Sequence, residues 1–329
     1  MGTNPKCLLS SPHQLKHKGV LNIYEDLIFC LQASTASAGE FSPGAEHGSI
    51  YSGPEPEGQD KMQVYKGLNI ATNKVTEEEC RGVPHHLLGI VDPDADFAAV
   101  DFVNHALIAV DSITRRGRLP IIAGGSNSYI KALVNDDMEF KSKYECCFLW
   151  VDVWMPVLHS FVSKRVDQMV VASLIDEARE FFDPEGNYTR GIKRAIGVPE
   201  LDEFFRNESI LDNDTRSRLL EDAIDKIKAN TCKLACHQLQ NILRLRNESK
   251  WHINYLNATE AFLKRGSESV EAWERLVARP ATRIVGRFLC EDDMDFMSAI
   301  AVPPPIYKII EMPQGIRSSN IITYFNHCV

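Results

Sequence analysis

The residues best equipped for chemistry stand in one short run, Asp60-Lys61-Met62-Gln63-Val64-Tyr65-Lys66-Gly67-Leu68, continued by Asn69-Ile70-Ala71-Thr72-Asn73-Lys74. An acid, an amide, a phenol, lysines and a turn glycine follow one another there. Met62, Val64, Leu68 and Ile70 fall at even spacing, broken at Lys66-Gly67, which predicts a short extended piece turning at the glycine. On spacing alone an edge strand with a solvated face is the favoured reading. A second candidate is Gly124-Gly125-Ser126, which follows the apolar run 119–123. Two glycines at the end of a buried strand let a ligand approach backbone N–H groups. A tight turn needed only for packing is equally compatible. His85-His86 invites a metal, but no third ligand lies nearby in sequence. Cys232 and Cys236 sit four apart with His237 and His252 not far off, a spacing that matches no zinc pattern. Buried, reduced thiols in a reducing compartment are the better reading of the nine cysteines.

The elements that must position these groups are legible from periodicity. Over 100–116, Phe102, Val103, Ala106, Leu107, Val110 and Ile113 form one helical face, with basic residues and Gly117 at its close. The continuous apolar run 119–123 predicts a buried parallel strand, and a helix over 129–134 follows its glycine turn. A second buried strand is expected over 146–153 with Asp152 near its end. Pro156 suits the first turn of a long helix carrying Val157, Leu158, Phe161, Val162, Val166, Met169 and Val170, with Arg165 between core positions. Ser173 is expected at a helix bend. Residues 183–205 are looser, 215–247 read as one long helix, 251–256 as the last strand, and a helix starts at Thr259. Strand, glycine turn and helix in alternation are α/β punctuation.

With 329 residues, 44% hydrophobic and 25% charged, the chain has the composition of an ordinary globular protein. Its net charge of -9 argues against a broad surface for long nucleic acid, although a nucleotide pocket needs only a few local cations. No apolar run approaches the length that crosses a bilayer. Residues 1–59 differ in composition: 21–31 carry a modest apolar cluster that fits one helix or strand, and 34–58 are rich in Ser, Gly, Pro and Ala and read as loop or disorder. Lys16 and Lys18 among scattered serines hint at a targeting peptide.

Taken together, Asp60-x-x-Gln63-Val64-Tyr65-x-Gly67, Gly124-Gly125-Ser126-x-x-Tyr129, Arg165-Val166-Asp167-x-Met169 and Ile196-Gly197-x-x-Glu200-Leu201 resemble the plant adenylate isopentenyltransferases. The resemblance runs from Asp60 to about Arg287. It implies an α/β fold of the P-loop NTPase type, a parallel sheet flanked by helices with a small helical insert. It implies transfer of a dimethylallyl group from dimethylallyl diphosphate to N6 of adenine in ATP, ADP or AMP, the first step of cytokinin biosynthesis, with Mg2+ as cofactor and a plastid location. Asp60 matches the family's base. Gln63 would read the adenine edge. Thr72, Lys74, Gly124, Gly125, Ser126 and Tyr129 match substrate-binding positions, and Arg165 lies near the diphosphate. Where relatives carry Arg-Gln, this chain has His237-Gln238, and a largely neutral histidine is a poor substitute for a guanidinium fork.

The family opens with a buried strand, a Gly-x-x-x-x-Gly-Lys-Ser/Thr loop and a helix upstream of the Asp60 segment. No such loop occurs anywhere in this sequence. The expected plan is therefore an irregular segment over 1–59, an isopentenyltransferase domain over 60–290 with a helical insert around 183–245, and a tail over 291–329. The strand and phosphate loop are expected to be absent, with the neighbouring apolar faces uncovered and turnover close to nil. The alternatives are the same chemistry on tRNA, disfavoured by the acidity and the lack of a Cys-x-x-Cys…His tail, and a catalytically dead nucleotide-binding relative.

Overall fold

The computed structural model describes residues 27–33, 48–51, 60–80 and 82–290. Six strands form one sheet: β1 (Leu27–Ala33), β2 (Gly48–Tyr51), β3 (His85–His86), β4 (Pro120–Gly124), β5 (Tyr144–Asp152) and β6 (Ile253–Asn257), in the order β3-β2-β4-β1-β5-β6. β2 runs parallel to β3 and β4, and β5 parallel to β6, whereas β1 is antiparallel to both its neighbours. Every strand but β1 therefore points the same way. Their carboxyl ends gather Tyr51, Gly124, Asp152 and Asn257 on one edge.

The expectation of an irregular 1–59 is corrected on two stretches. Leu27–Ala33 fills the slot between β4 and β5, with Leu27 opposite both Gly124 and Trp150. Gly48–Tyr51 pairs with Pro120–Ala123 on the other side of β4. The neighbours expected to lie uncovered are paired. The rest of 1–59 and the tail 291–329 lie outside the described residues.

β5 is long because nearly all its residues are apolar and both of its faces are covered. Alternation sends Phe148 and Trp150 into a core shared with Met62, Tyr65, Phe102 and Tyr129, and Cys147, Leu149 and Val151 into a second core under Leu158 and Leu256. Helix α1 (Ala99–Arg115) buries Phe102, Val103, Ala106, Val110 and Ile113 as its periodicity predicts, and Asp101 accepts the Ala98 N–H at 2.8 Å to start it. Helix α2 (Asn127–Lys131) follows β4 directly. Helix α3 (Met155–Val171) opens with Pro156 in its first turn and stops before Ser173, whose left-handed φ of 76° makes the expected bend into α4 (Leu174–Glu180). Helix α5 (Asn213–Glu248) is capped by Asp212, which accepts from the N–H groups of Asp214 and Thr215.

A third core holds the helical insert together: Val166, Leu174, Ala178, Leu201, Phe204, Phe205, Ala223 and Ile227, with Ile70 and Ala71 packed against it. Ala71 also packs against the sheet core, so the Asp60 run joins sheet to insert. β3 spans just His85 and His86, both half-buried. Among the described residues no helix is long and apolar enough to cross a membrane.

Candidate active site

The Asp60 run is not an extended piece. Asp60–Val64 form a 3₁₀ turn, Tyr65 makes a single bridge to Val91, and the chain then swings through positive φ at Gly67 (82°) and Leu68 (47°). The polypeptide next coils tightly, with the Thr72 N–H on the Leu68 carbonyl (3.0 Å) and the Lys74 N–H on that of Asn69 (2.9 Å). Even apolar spacing arose from a turn and a left-handed corner, whose residues also return to one face at short intervals. The Asp60 side chain lies outside the described residues.

Four side chains brace this loop. The Gln63 Nε2 group donates to the carbonyls of Thr72 (3.1 Å) and Asn73 (3.3 Å). The Lys74 ammonium donates to the Gly67 carbonyl (2.5 Å) and the Thr72 hydroxyl (3.0 Å), while that hydroxyl donates to the Leu68 carbonyl (2.6 Å). From α4, the Glu177 carboxylate accepts the N–H groups of Ile70 (2.9 Å) and Ala71 (2.8 Å). Burial pulls Lys74 down to about 8, with the Glu177 charge opposing the shift. Gln63, Thr72 and Lys74, all expected to face substrate, are thus largely committed to their own backbone. Gly67 could not carry a side chain, because a Cβ there would run into the Phe181 ring.

The glycine turn lies at the carboxyl end of β4. Gly124 takes φ of 145°, and the Asn127 N–H donates to the Gly125 carbonyl at 2.8 Å. Ser126 is fully buried and Asn127 is 2% exposed, yet Ser126 Oγ, both amide atoms of Asn127 and Ser128 Oγ have no hydrogen-bond partner among the described residues. On the far side of Leu27, Trp150 Nε1 is likewise buried and unsatisfied. Unpaired buried polar atoms are rare in folded proteins, and here they cluster where open α/β sheets take their ligands. Tyr129 is different: its hydroxyl donates to the Phe97 carbonyl (2.9 Å) and its ring stacks on Phe102. It is built into the core beneath the turn.

Arg165 stands half-buried on α3. Asp152 ends β5 and accepts a 2.7 Å hydrogen bond from the Tyr255 hydroxyl, and burial raises its carboxyl above the usual range. Its place at the ligand edge follows only from the strand order. His85 Nδ1 meets the Val83 carbonyl, and burial lowers His86. Cys236 has His159 as its neighbour, at 3.5 Å from Nε2, rather than His237 or His252.

A mostly parallel sheet with a glycine turn and unsatisfied polar groups at its carboxyl edge, joined by a braced loop to a helical insert, defines an α/β protein built to take a ligand at that edge. The chain belongs to the IPP transferase family, whose model matches residues 63–143 and 135–244. It is 56% identical over 263 residues to adenylate isopentenyltransferase 5, chloroplastic, of Arabidopsis thaliana, covering 79% of this chain and 80% of that one. To adenylate isopentenyltransferase 7, mitochondrial, of the same plant it is 55% identical, with 70% of each chain covered. Among solved structures, a eukaryotic dimethylallyltransferase acting on tRNA superposes with a TM-score of 0.59 at 20% identity, over 74% of this chain and 73% of that one. The tRNA isopentenylpyrophosphate transferase of Staphylococcus epidermidis gives 0.53 at 21% identity, over 74% and 100%. The fold is shared with the tRNA enzymes, and the sequence likeness is far greater to the adenylate enzymes.

Proposed function

We propose that this protein transfers a dimethylallyl group from dimethylallyl diphosphate to N6 of ATP, ADP or AMP, in plastids, as the first step of cytokinin biosynthesis. The observation that carries the reading is the braced Asp60–Lys74 run, in a chain more than half identical to named adenylate isopentenyltransferases. The exocyclic amine is a poor nucleophile while its lone pair is delocalised into the purine. The Asp60 carboxylate takes a proton from N6 as the N6–C1 bond forms, and the C1–O bond of the donor breaks to release diphosphate. A base placed in this way contributes about 10²–10⁴-fold. Backbone N–H groups of the Gly124-Gly125-Ser126 turn, with Arg165, face the leaving diphosphate. Thr72 and Lys74 act mainly by holding the loop in shape.

Mg2+ keeps several waters and needs only one or two protein oxygens beside the phosphates. Among the described residues no three His, Cys, Asp or Glu side chains converge on one point, but Asp152 fits the smaller requirement. It is a carboxylate at the ligand edge with one oxygen engaged by Tyr255, and burial raises its carboxyl above the usual range. The ion, when bound, neutralises charge on the departing diphosphate.

Turnover falls well below that of relatives with a phosphate loop. Losing one preorganised donor at a developing charge costs about 10²–10³-fold, and no loop of that pattern occurs in this chain. The domain plan, an α/β body over 60–290 with its insert around 183–245, belongs to the same proposal. The test is a prenyl-transfer assay on the purified full chain with ADP, ATP, AMP and tRNA as acceptors. Slow product from the nucleotides that disappears in Asp60→Ala supports the reading. Product from tRNA alone overturns it. Tight ADP binding with no product over days points instead to a non-catalytic nucleotide binder.

A further inference from the structure

We infer that Asn127 reads the amino edge of the adenine base, a task for which the Gln63 amide is not free. The inference rests on the reading of prenyl transfer to an adenine nucleotide and adds a specificity-determining residue to it. Gln63 spends its Nε2 donors on the Thr72 and Asn73 carbonyls, so its amide can offer a ligand nothing but an acceptor. Asn127 is the reverse case. Its side chain is 2% exposed, and Oδ1 and Nδ2 are both buried without a partner. Leaving such groups unsatisfied is costly, and it happens at the carboxyl edge of β4, where ligands of open α/β sheets bind. The backbone holds the residue in place through the hydrogen bond from its N–H to the Gly125 carbonyl.

The chemistry of the vacancy selects among the substrate groups. Hydroxyls at Ser126 and Ser128 adapt to either role, and Trp150 Nε1 only donates. Asn127 alone in this set presents a fixed donor beside a fixed acceptor. A diphosphate brings acceptors only, and a prenyl chain brings neither. The adenine edge brings an amino donor beside the N7 acceptor, the pairing an asparagine amide matches with two parallel hydrogen bonds. Held that way, the 6-amino group is positioned as well as recognised.

The test measures equilibrium binding of ADP and of purine riboside diphosphate, the same nucleotide without its 6-amino group, to the full chain by calorimetry. Wild type is expected to prefer ADP by about tenfold or more. Asn127→Leu is expected to bind both equally, at the weaker level. Gln63→Leu weakens both together and keeps the preference, as a loop brace should. Asn127→Asp preserves shape while losing the donor, and a loss of ADP affinity there carries the test should the leucine variant not fold, as judged by its circular dichroism melt. An unchanged preference in Asn127→Leu, or wild-type ADP affinity in Asn127→Asp, overturns the assignment. Wild type that binds ADP without preferring it also overturns the role of Asn127 while leaving prenyl transfer standing. Failure to bind ADP at all removes the underlying function too.

Discussion

The Glu177 carboxylate accepts the backbone N–H of Ala71 at 2.8 Å, joining positions 106 residues apart in the chain. With its bonds to Ile70 it ties the loop carrying the proposed chemistry to the first helix beyond the Ser173 bend. Glu177→Ala is expected to cost about 1–3 kcal/mol in urea unfolding. Hydrogen exchange at the Ile70 and Ala71 amides should accelerate selectively. Glu177→Gln keeps an acceptor and should recover part of both losses. Equal exchange in all three proteins would show that the tether holds nothing.

Gly67 makes a second prediction. Its φ of 82° is strained for any L side chain, and a Cβ would meet the Phe181 ring. Gly67→Ala is expected to destabilise the fold by roughly 1–3 kcal/mol. Adding Phe181→Leu removes the collision but not the backbone strain, so the double variant should regain only part of the loss. A melting temperature for Gly67→Ala equal to wild type contradicts the described corner.

Lys74 gives a pH dependence whose sign is determined. Burial lowers it from 10.5 to about 8 in the folded state. Between those values the unfolded chain holds a proton that the folded chain has released, so the contribution of this group to stability rises with pH across the window. Below about pH 8 the cost of burying the ammonium is present in full. The difference in unfolding free energy between wild type and Lys74→Met should therefore shift in favour of wild type from pH 7.5 to pH 10. Parallel curves over that range would contradict a buried, depressed lysine.

The reversed central strand predicts a gain of function. Replacing residues 27–59 by a strand, a Gly-x-x-x-x-Gly-Lys-Ser/Thr loop and a helix returns a parallel β1 whose carboxyl end meets the ligand edge. Prenyl transfer to ADP should then rise by about 10²-fold or more. An unaltered rate in a well-folded chimera would mean that the diphosphate is already held by other groups.

Much of the fold was legible because it rests on local periodicity. Strand β5 and helices α1, α3 and α5 were expected within a few residues of where they lie, and the αL bend at Ser173 was anticipated. The Asp60 run was misjudged in shape because a 3₁₀ turn leading into a left-handed corner imitates period-two spacing. The apolar cluster over 21–31 stayed open between helix and strand because the identity of β1 depends on two partners more than ninety residues away, Ile121–Gly124 and Tyr144–Trp150. The braces on the loop were invisible for a similar reason. Nothing near Glu177 or Gln63 in sequence says which backbone groups each will satisfy. Asn127 did carry a signal, lying inside the glycine-turn motif, but its unpaired amide shows only in the fold, and a fixed donor beside a fixed acceptor is what separates it from the hydroxyls of Ser126 and Ser128.

The reversal of β1 has a consequence for how such a sheet survives damage. A parallel strand in that slot demands a long return path across one face, whereas an antiparallel one can reach β2 by staying at the far rim, since Ala33 leaves and Gly48 enters on the same side. Leu27–Ala33 fills that slot through backbone pairing, and hydrogen-bonding capacity, unlike phosphate chemistry, is common to every backbone. Strand pairing and phosphate binding thus make separate demands on the chain, and the first is met here without a Gly-x-x-x-x-Gly-Lys-Ser/Thr sequence.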